Sequence, residues 1–136
     1  VILAGSIRLP FSYAAGGVGS QFLIGLRDER VILGARCGTC STVTCPARAF
    51  CSQCHGAIAD LVEVGSAGTL DAWTEVPGRG VFGMIRLDGA DTSLLHRLVG
   101  PPEQWRAGIR VTAMFAEERA GSVNDIEGFV IEGDRP

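Results

Sequence analysis

Five cysteines crowd into the stretch CGTCSTVTCPARAFCSQC, residues 37–54, and the 136-residue chain has no others. Four of them form two C-x₂-C pairs, Cys37/Cys40 and Cys51/Cys54, separated by ten residues. Two intervening residues fold the backbone into a tight knuckle, so that both sulfurs address one ion and nearby amides donate to them. Two knuckles complete a tetrahedral four-sulfur cage suited to structural Zn²⁺. Iron suits the same soft ligands, which leaves a rubredoxin-like electron carrier as an alternative. A thioredoxin-like redox site is disfavoured, because it needs one pair at a helix start within a βαβ unit. Cys45, just before Pro46, reads as a spare thiol, with no histidine beside it in sequence to activate it. His55 follows a ligand and reads as a surface residue flanking the second knuckle.

The remaining reactive side chains assemble no catalytic site. His55 and His96 are far apart, and neither a Ser-His-Asp order nor an H-E-x-x-H run occurs. Asp88 and Asp91 flank a glycine and suit turn or cap roles. The AAGGVG run lacks both a preceding strand and a following Gly-Lys-Ser/Thr, so it is no phosphate loop. Binding chemistry is more visible. In TLDAWTEV, strict alternation places Trp73 on a polar face with Thr69, Asp71 and Glu75, where it is free to stack an adenine or anchor a partner. Phe82, Met84 and Arg86 form a similar mixed face on the next strand. Together with Trp73 they make an apolar patch for a partner subunit. Arg36 and Arg48 flank the cysteine cage. They offset the charge of a zinc–thiolate centre, or bind the phosphates of an anionic ligand. Tyr13, the only tyrosine, and Phe11 belong to a glycine-containing arm, and with Phe22 they are candidate interface anchors.

The chain as a whole is apolar for its size, with a mean hydropathy of +0.25 and 20% charged residues. Four thiolates around a divalent ion take its formal charge from −3 to about −5. All twelve basic residues are arginine. This balance disfavours the other binding class considered, a single-stranded nucleic-acid module, which needs basic faces with several stacking aromatics. The opening VILAG is too short for a signal-peptide core, and no apolar run approaches the length of a membrane span. A cytoplasmic location is therefore expected, where structural disulfides are rare.

The elements that must position these residues are mostly β. Residues 1–19 read as an irregular arm, and Ser20 caps a short helix over QFLIGLRDER with Phe22, Leu23 and Leu26 on one face. VILGARC is a strand entering the first knuckle. After the second knuckle, IADLVEV and GTLDAWTEV are strands split by a glycine turn. VFGMIRL (81–87), IRVTAMFAEE (109–118) and DIEGFVIEG (125–133) each alternate with period two. Between the first two of these, Asp91 or Ser93 is expected to cap a short helix that Pro101 and Pro102 end. Five strands with a helix inserted midway is the order of an OB-fold barrel. The expected organisation is an arm and helix at 1–36, a zinc ribbon at 37–58 and the barrel at 59–136.

A ribbon entered through FLIGLRDERVILGARCGTC, followed by CPARAFCSQC and a barrel opening GSAGTLDAWTEV, resembles the acyl-CoA-associated OB-fold family with a rubredoxin-like zinc ribbon, known as domain of unknown function thirty-five. The likeness extends through RLDGADTSLLHRLVG and WRAGIRVTAMF. It implies a structural zinc on the four paired cysteines and no catalytic residue in this chain. It also implies a heteromer built on a dimeric thiolase-like partner, in some relatives with a MaoC-type hydratase domain. By resemblance, such complexes act on acyl-CoA thioesters in thiolytic or retro-aldol carbon–carbon cleavage, some of them on steroid side chains.

Overall fold

The computed structural model describes residues 1–133. An arm without regular structure leads into α1 (Gly16–Ile24), which widens into a π-turn over Gly25–Glu29. Arg30, at φ 57°, ends the helix, and its N–H returns to the Gly25 carbonyl. The helix starts earlier than the Ser20 cap expected from the sequence. The extra turn brings Val18, one helical repeat before Phe22, onto the same apolar core as Phe22 and Leu26. Burial of this added side chain offsets the poor helix propensity of the three glycines Gly16, Gly17 and Gly19.

Three strands, β1 (Leu33–Cys37), β2 (Val43–Thr44) and β3 (Ile58–Glu63), form an antiparallel sheet in the order β2-β1-β3. β4 (Ala67–Val76), β5 (Gly80–Leu87), β6 (Leu94–Leu98), β7 (Arg110–Phe115) and β8 (Ile126–Ile131) close a barrel in the order β4-β5-β6-β8-β7. Its neighbours are antiparallel except β6 and β8, which run parallel with Leu98 opposite Phe129. This is the five-stranded Greek-key barrel of the OB fold. Alternate positions fill it: Val81, Ile85 and Leu87 from β5, Leu94 and Leu98 from β6, Val111 from β7 and Phe129 from β8 are buried.

Two expectations are corrected. The segment after Asp91 forms β6 rather than a helix. Its alternation places Leu94 and Leu98 opposite the buried Ile85 and Val81, with Leu95 and Arg97 on the other face. Only a 3₁₀ turn at Pro102–Gln104 is helical there. Asp91 caps nothing: its carboxylate accepts the Val43 N–H (2.8 Å) while its own N–H donates to the Val43 carbonyl (2.9 Å). Thr92 repeats the pattern on Cys45, accepting its N–H (2.9 Å) and donating to its carbonyl (3.1 Å). Together they fasten the ribbon sheet to the barrel.

The second correction concerns Trp73. β4 carries a bulge at Asp71, so that Leu70 lies opposite Ile85 but Ala72 lies opposite Met84 and Trp73 opposite Gly83. One extra residue reverses the alternation. Trp73 thus shares the register of Leu70 rather than the polar face of Thr69 and Asp71. It stays 38% exposed, because β7 covers β4 only along Ala67–Thr69.

Candidate metal centre and barrel groove

β1 delivers Cys37 to the centre, and the turn after it brings round Cys40. Cys51 and Cys54 occupy an equivalent turn leading into β3. The two knuckles are built alike. The Ser41 N–H returns to the Cys37 carbonyl and the His55 N–H to the Cys51 carbonyl, each at 3.2 Å. Ser41 (φ 62°) and His55 (φ 61°) both take the left-handed conformation that closes the turn. His55, which the sequence suggests as a bystander, therefore has a backbone role. Amides point at sulfur: Thr39 N–H reaches Cys37 Sγ at 3.3 Å and Gln53 N–H reaches Cys51 Sγ at 3.3 Å. Gly56 keeps the space beside them open: a Cβ there would stand 3.2 Å from Cys54 Sγ and 3.0 Å from Thr39 Oγ1, so both would have to give way.

The four sulfurs lie within 4.8 Å of one another, with Cys37–Cys54 and Cys40–Cys51 each at 3.5 Å. Tetrahedral zinc–thiolate bonds of about 2.3 Å require sulfur–sulfur edges of about 3.8 Å, so the cage fits the ion. The local field favours thiolate at two of the ligands. Backbone donation from Cys40 and then Thr39 lowers the Cys37 thiol, and the Thr42 hydroxyl leads the effects that bring Cys40 down to about 6. Four protein ligands leave no open coordination position, the arrangement of a structural site. Cys45 stands apart. It is buried, and desolvation pushes its thiol up to about 12.

Across the barrel, the outward face of β5 and β6 meets the loop between β7 and β8. The groove there has a volume of about 590 Å³ and is lined by Phe82, Leu95, Arg97 and Val123 among others. Met84 and Leu95 lie opposite each other and carry the apolar surface on toward Trp73. The same face and loop hold ligands in OB folds generally. The loop is rigidly made. Asp125, buried at the end of a short 3₁₀ turn, accepts N–H groups from Ala120 (3.0 Å), Gly121 (2.8 Å) and Ser122 (3.2 Å). Burial works to raise its carboxyl, but the three backbone donors hold it below the ordinary range. Arg119 braces the loop from behind, donating to the Arg27 carbonyl at the end of the helical segment. His96 braces it in front. Its Nδ1 accepts the Arg97 N–H (2.9 Å), so Nε2 carries the proton and donates to the Val123 carbonyl (3.1 Å).

The residues singled out from sequence fall in three places. Arg36 and Arg48 are exposed in the ribbon, Arg36 standing 3.7 Å from Asp60. Trp73 is six residues along β4 from its ribbon end, about 20 Å of strand, so it does not join those arginines in one pocket. Phe82 lines the groove with Leu95 and Val123, which the sequence reading missed, and Met84 lines the adjoining surface with Trp73. Reading β6 as a helix hid Leu95. Phe11 and Tyr13 are exposed on the arm. Phe22 is corrected: at 5% exposure it is a core residue, unavailable to a partner.

Fold and site define a zinc ribbon joined to an OB barrel. Residues 26–60 match the family model for the ChsH2 rubredoxin-like zinc ribbon domain, and the four paired cysteines within that segment are arranged to hold a structural zinc. The fold extends the likeness. The chain is similar to the solved structure of an Ltp2-ChsH2(DUF35) aldolase, with a TM-score of 0.63 and 20% identity over 84% of this chain and 94% of that one. It is also similar to a protein of unknown function from the DUF35 family of Sulfolobus solfataricus, with a TM-score of 0.61 and 21% identity over 85% and 84%. At these identities the likeness is one of fold. No curated protein matches the sequence. No helix among the described residues is long and apolar enough to cross a membrane.

Proposed function

We propose that the chain is a non-catalytic zinc-ribbon and OB-barrel subunit of an acyl-CoA enzyme, paired with a thiolase-fold partner that cleaves a carbon–carbon bond. The observation that carries this reading is the uncovered apolar surface of the groove and arm on a chain whose reactive groups are already committed. The four cage sulfurs leave no open metal position, and both ring nitrogens of His96 are bonded to backbone. The fold shared with one chain of an Ltp2-ChsH2(DUF35) aldolase supports a role within an aldolase complex. In this reading the zinc holds the ribbon rigid, and the nucleophile, acid and base reside in the partner. Trp73, Phe82 and Met84 contribute contact area at the groove, and Phe11 and Tyr13 contribute it on the arm. Arg36 and Arg48 face the phosphates of coenzyme A. The cleavage is retro-aldol or thiolytic, with a steroid side chain as the favoured substrate, a MaoC-type hydratase supplying the hydroxylated thioester, and the cytoplasm as the setting.

Co-expression with a thiolase-fold protein and with a MaoC-type hydratase tests the assignment. The expected result is a stable complex with the thiolase-like chain, whose activity on a coenzyme A thioester disappears without this subunit. Elution of the chain alone, with partner activity unchanged, would sink the proposal.

A further inference from the structure

The first thirteen residues carry a pattern unlike a linker. Val1, Leu3, Ile7, Leu9, Phe11 and Tyr13 occupy six of the seven odd positions, Gly5 being the exception, and each is at least 76% exposed. Even positions hold small or polar residues apart from Ile2: Ala4, Ser6, Arg8, Pro10 and Ser12. Alternation of this kind is the signature of a strand with one buried face. Among the described residues nothing buries it, and the arm makes no hydrogen bond to the body. One local contact already shows the geometry. The rings of Phe11 and Tyr13 lie with centroids 6.0 Å apart, close to the roughly 6.7 Å between side chains two apart on a strand.

Pro10 decides how such a strand pairs. In a strand the N–H and C=O of one residue point to the same edge, and successive residues alternate edges. Pro10 removes a donor from the even edge, whereas every odd residue keeps its N–H. Proline is tolerated at the outer edge of a sheet, with its missing donor facing solvent.

We infer that residues 1–13 are a β-strand in waiting, added through their odd-residue edge to a free sheet edge of the partner enzyme, with the odd side chains seated in an apolar cleft there. The inference rests on the accessory-subunit reading and names the surface by which the complex is held. The occupant is the partner rather than a second copy of this chain. The barrel is closed, and the outer strands of the ribbon sheet are two and six residues long, whereas the arm spans about 40 Å when extended.

The test uses the full chain with the co-expressed thiolase-fold protein and two sets of arm variants. Leu9→Asp and Phe11→Asp place charge on the seated face, and Ser6→Asp and Ser12→Asp place it on the other. The expected result is that the first pair weakens the complex by about 30-fold or more, and the second by no more than about threefold. All four should melt with the wild type, because the arm touches nothing in the free chain. In the complex, amide exchange should slow at residues 3, 7, 9 and 11 and stay fast at 4, 6, 8 and 12. Equal effects of the two sets, or protection without alternation, would overturn the strand while leaving the accessory role intact. If wild-type chain forms no complex, both readings fall. Self-association of the chain alone that Leu9→Asp abolishes would overturn the assignment to the partner.

Discussion

Replacing Asp125 by Asn tests whether the β7–β8 loop is held by an ionised carboxylate. Oδ1 accepts one backbone N–H and Oδ2 accepts two. The best orientation of an amide keeps its oxygen on Gly121 and Ser122 and turns its NH₂ toward the Ala120 N–H, donor against donor. Leaving one buried donor unpaired costs about 1–3 kcal/mol. Loss of charge roughly halves the strength of the other two bonds, so the total is about 3 kcal/mol. For a chain of this length that lowers Tm by about 10 °C. Urea unfolding followed by tryptophan fluorescence reads the barrel directly, because Trp73 and Trp105 both lie in it, and the slope m should not change. The pH dependence carries the sign. A carboxyl held below its ordinary value of about 3.9 contributes stability that is present above that pH and lost as pH falls through the folded value. The gap between wild type and variant should therefore be full at pH 6 and shrink below about pH 4. Acid release of zinc affects both proteins alike and cancels in the difference. A loss under about 1 kcal/mol, or a gap that stays constant into acid, would refute the reasoning.

Alkylation of the five thiols should proceed in stages. With zinc bound none reacts quickly; a chelator releases four, and Cys45 follows only on unfolding, because burial holds it protonated. Rapid labelling of Cys45 in the folded, zinc-loaded chain would contradict its placement. Gly34→Ala should destabilise the ribbon by about 1–3 kcal/mol, since the added Cβ would meet Val43 Cγ1 at 2.7 Å and Val64 Cγ1 at 2.8 Å. Adding Val43→Ala should recover part of that loss, and a double-mutant cycle by denaturation measures it. Arg119→Ala removes the donor to the carbonyls of Arg27 and Ala116. Hydrogen exchange across residues 116–125 should accelerate while the strands of the barrel stay protected.

The metal centre was legible because its information is local. Two cysteine pairs specify two knuckles whatever surrounds them. The strands of the barrel were legible for a similar reason, since Val81, Gly83, Ile85 and Leu87 fall on every second residue. What escaped depends on partners distant in sequence. Leu94, Leu95 and Leu98 fit a helical stripe as well as a strand, and only pairing with β5 decides between them. The bulge at Asp71 leaves no mark in composition, yet it moves Trp73 to the other register. Phe22 looked available until the helix gained the turn that carries Val18 into the core. The groove joins side chains from β5, β6 and the loop before β8, so no single stretch of sequence displays it.

The bonds from Asp91 and Thr92 to Val43 and Cys45 have a thermodynamic consequence. Both ends of the clasp are ordered only when ribbon and barrel are folded, so the two halves share one unfolding equilibrium. Zinc that binds the folded cage and not the open chain then acts on the barrel as well. By mass action, each tenfold rise in free zinc above the dissociation constant adds about 1.4 kcal/mol to the stability of the linked unit. The groove, which touches no metal ligand, is thereby held in shape by the availability of zinc around the protein.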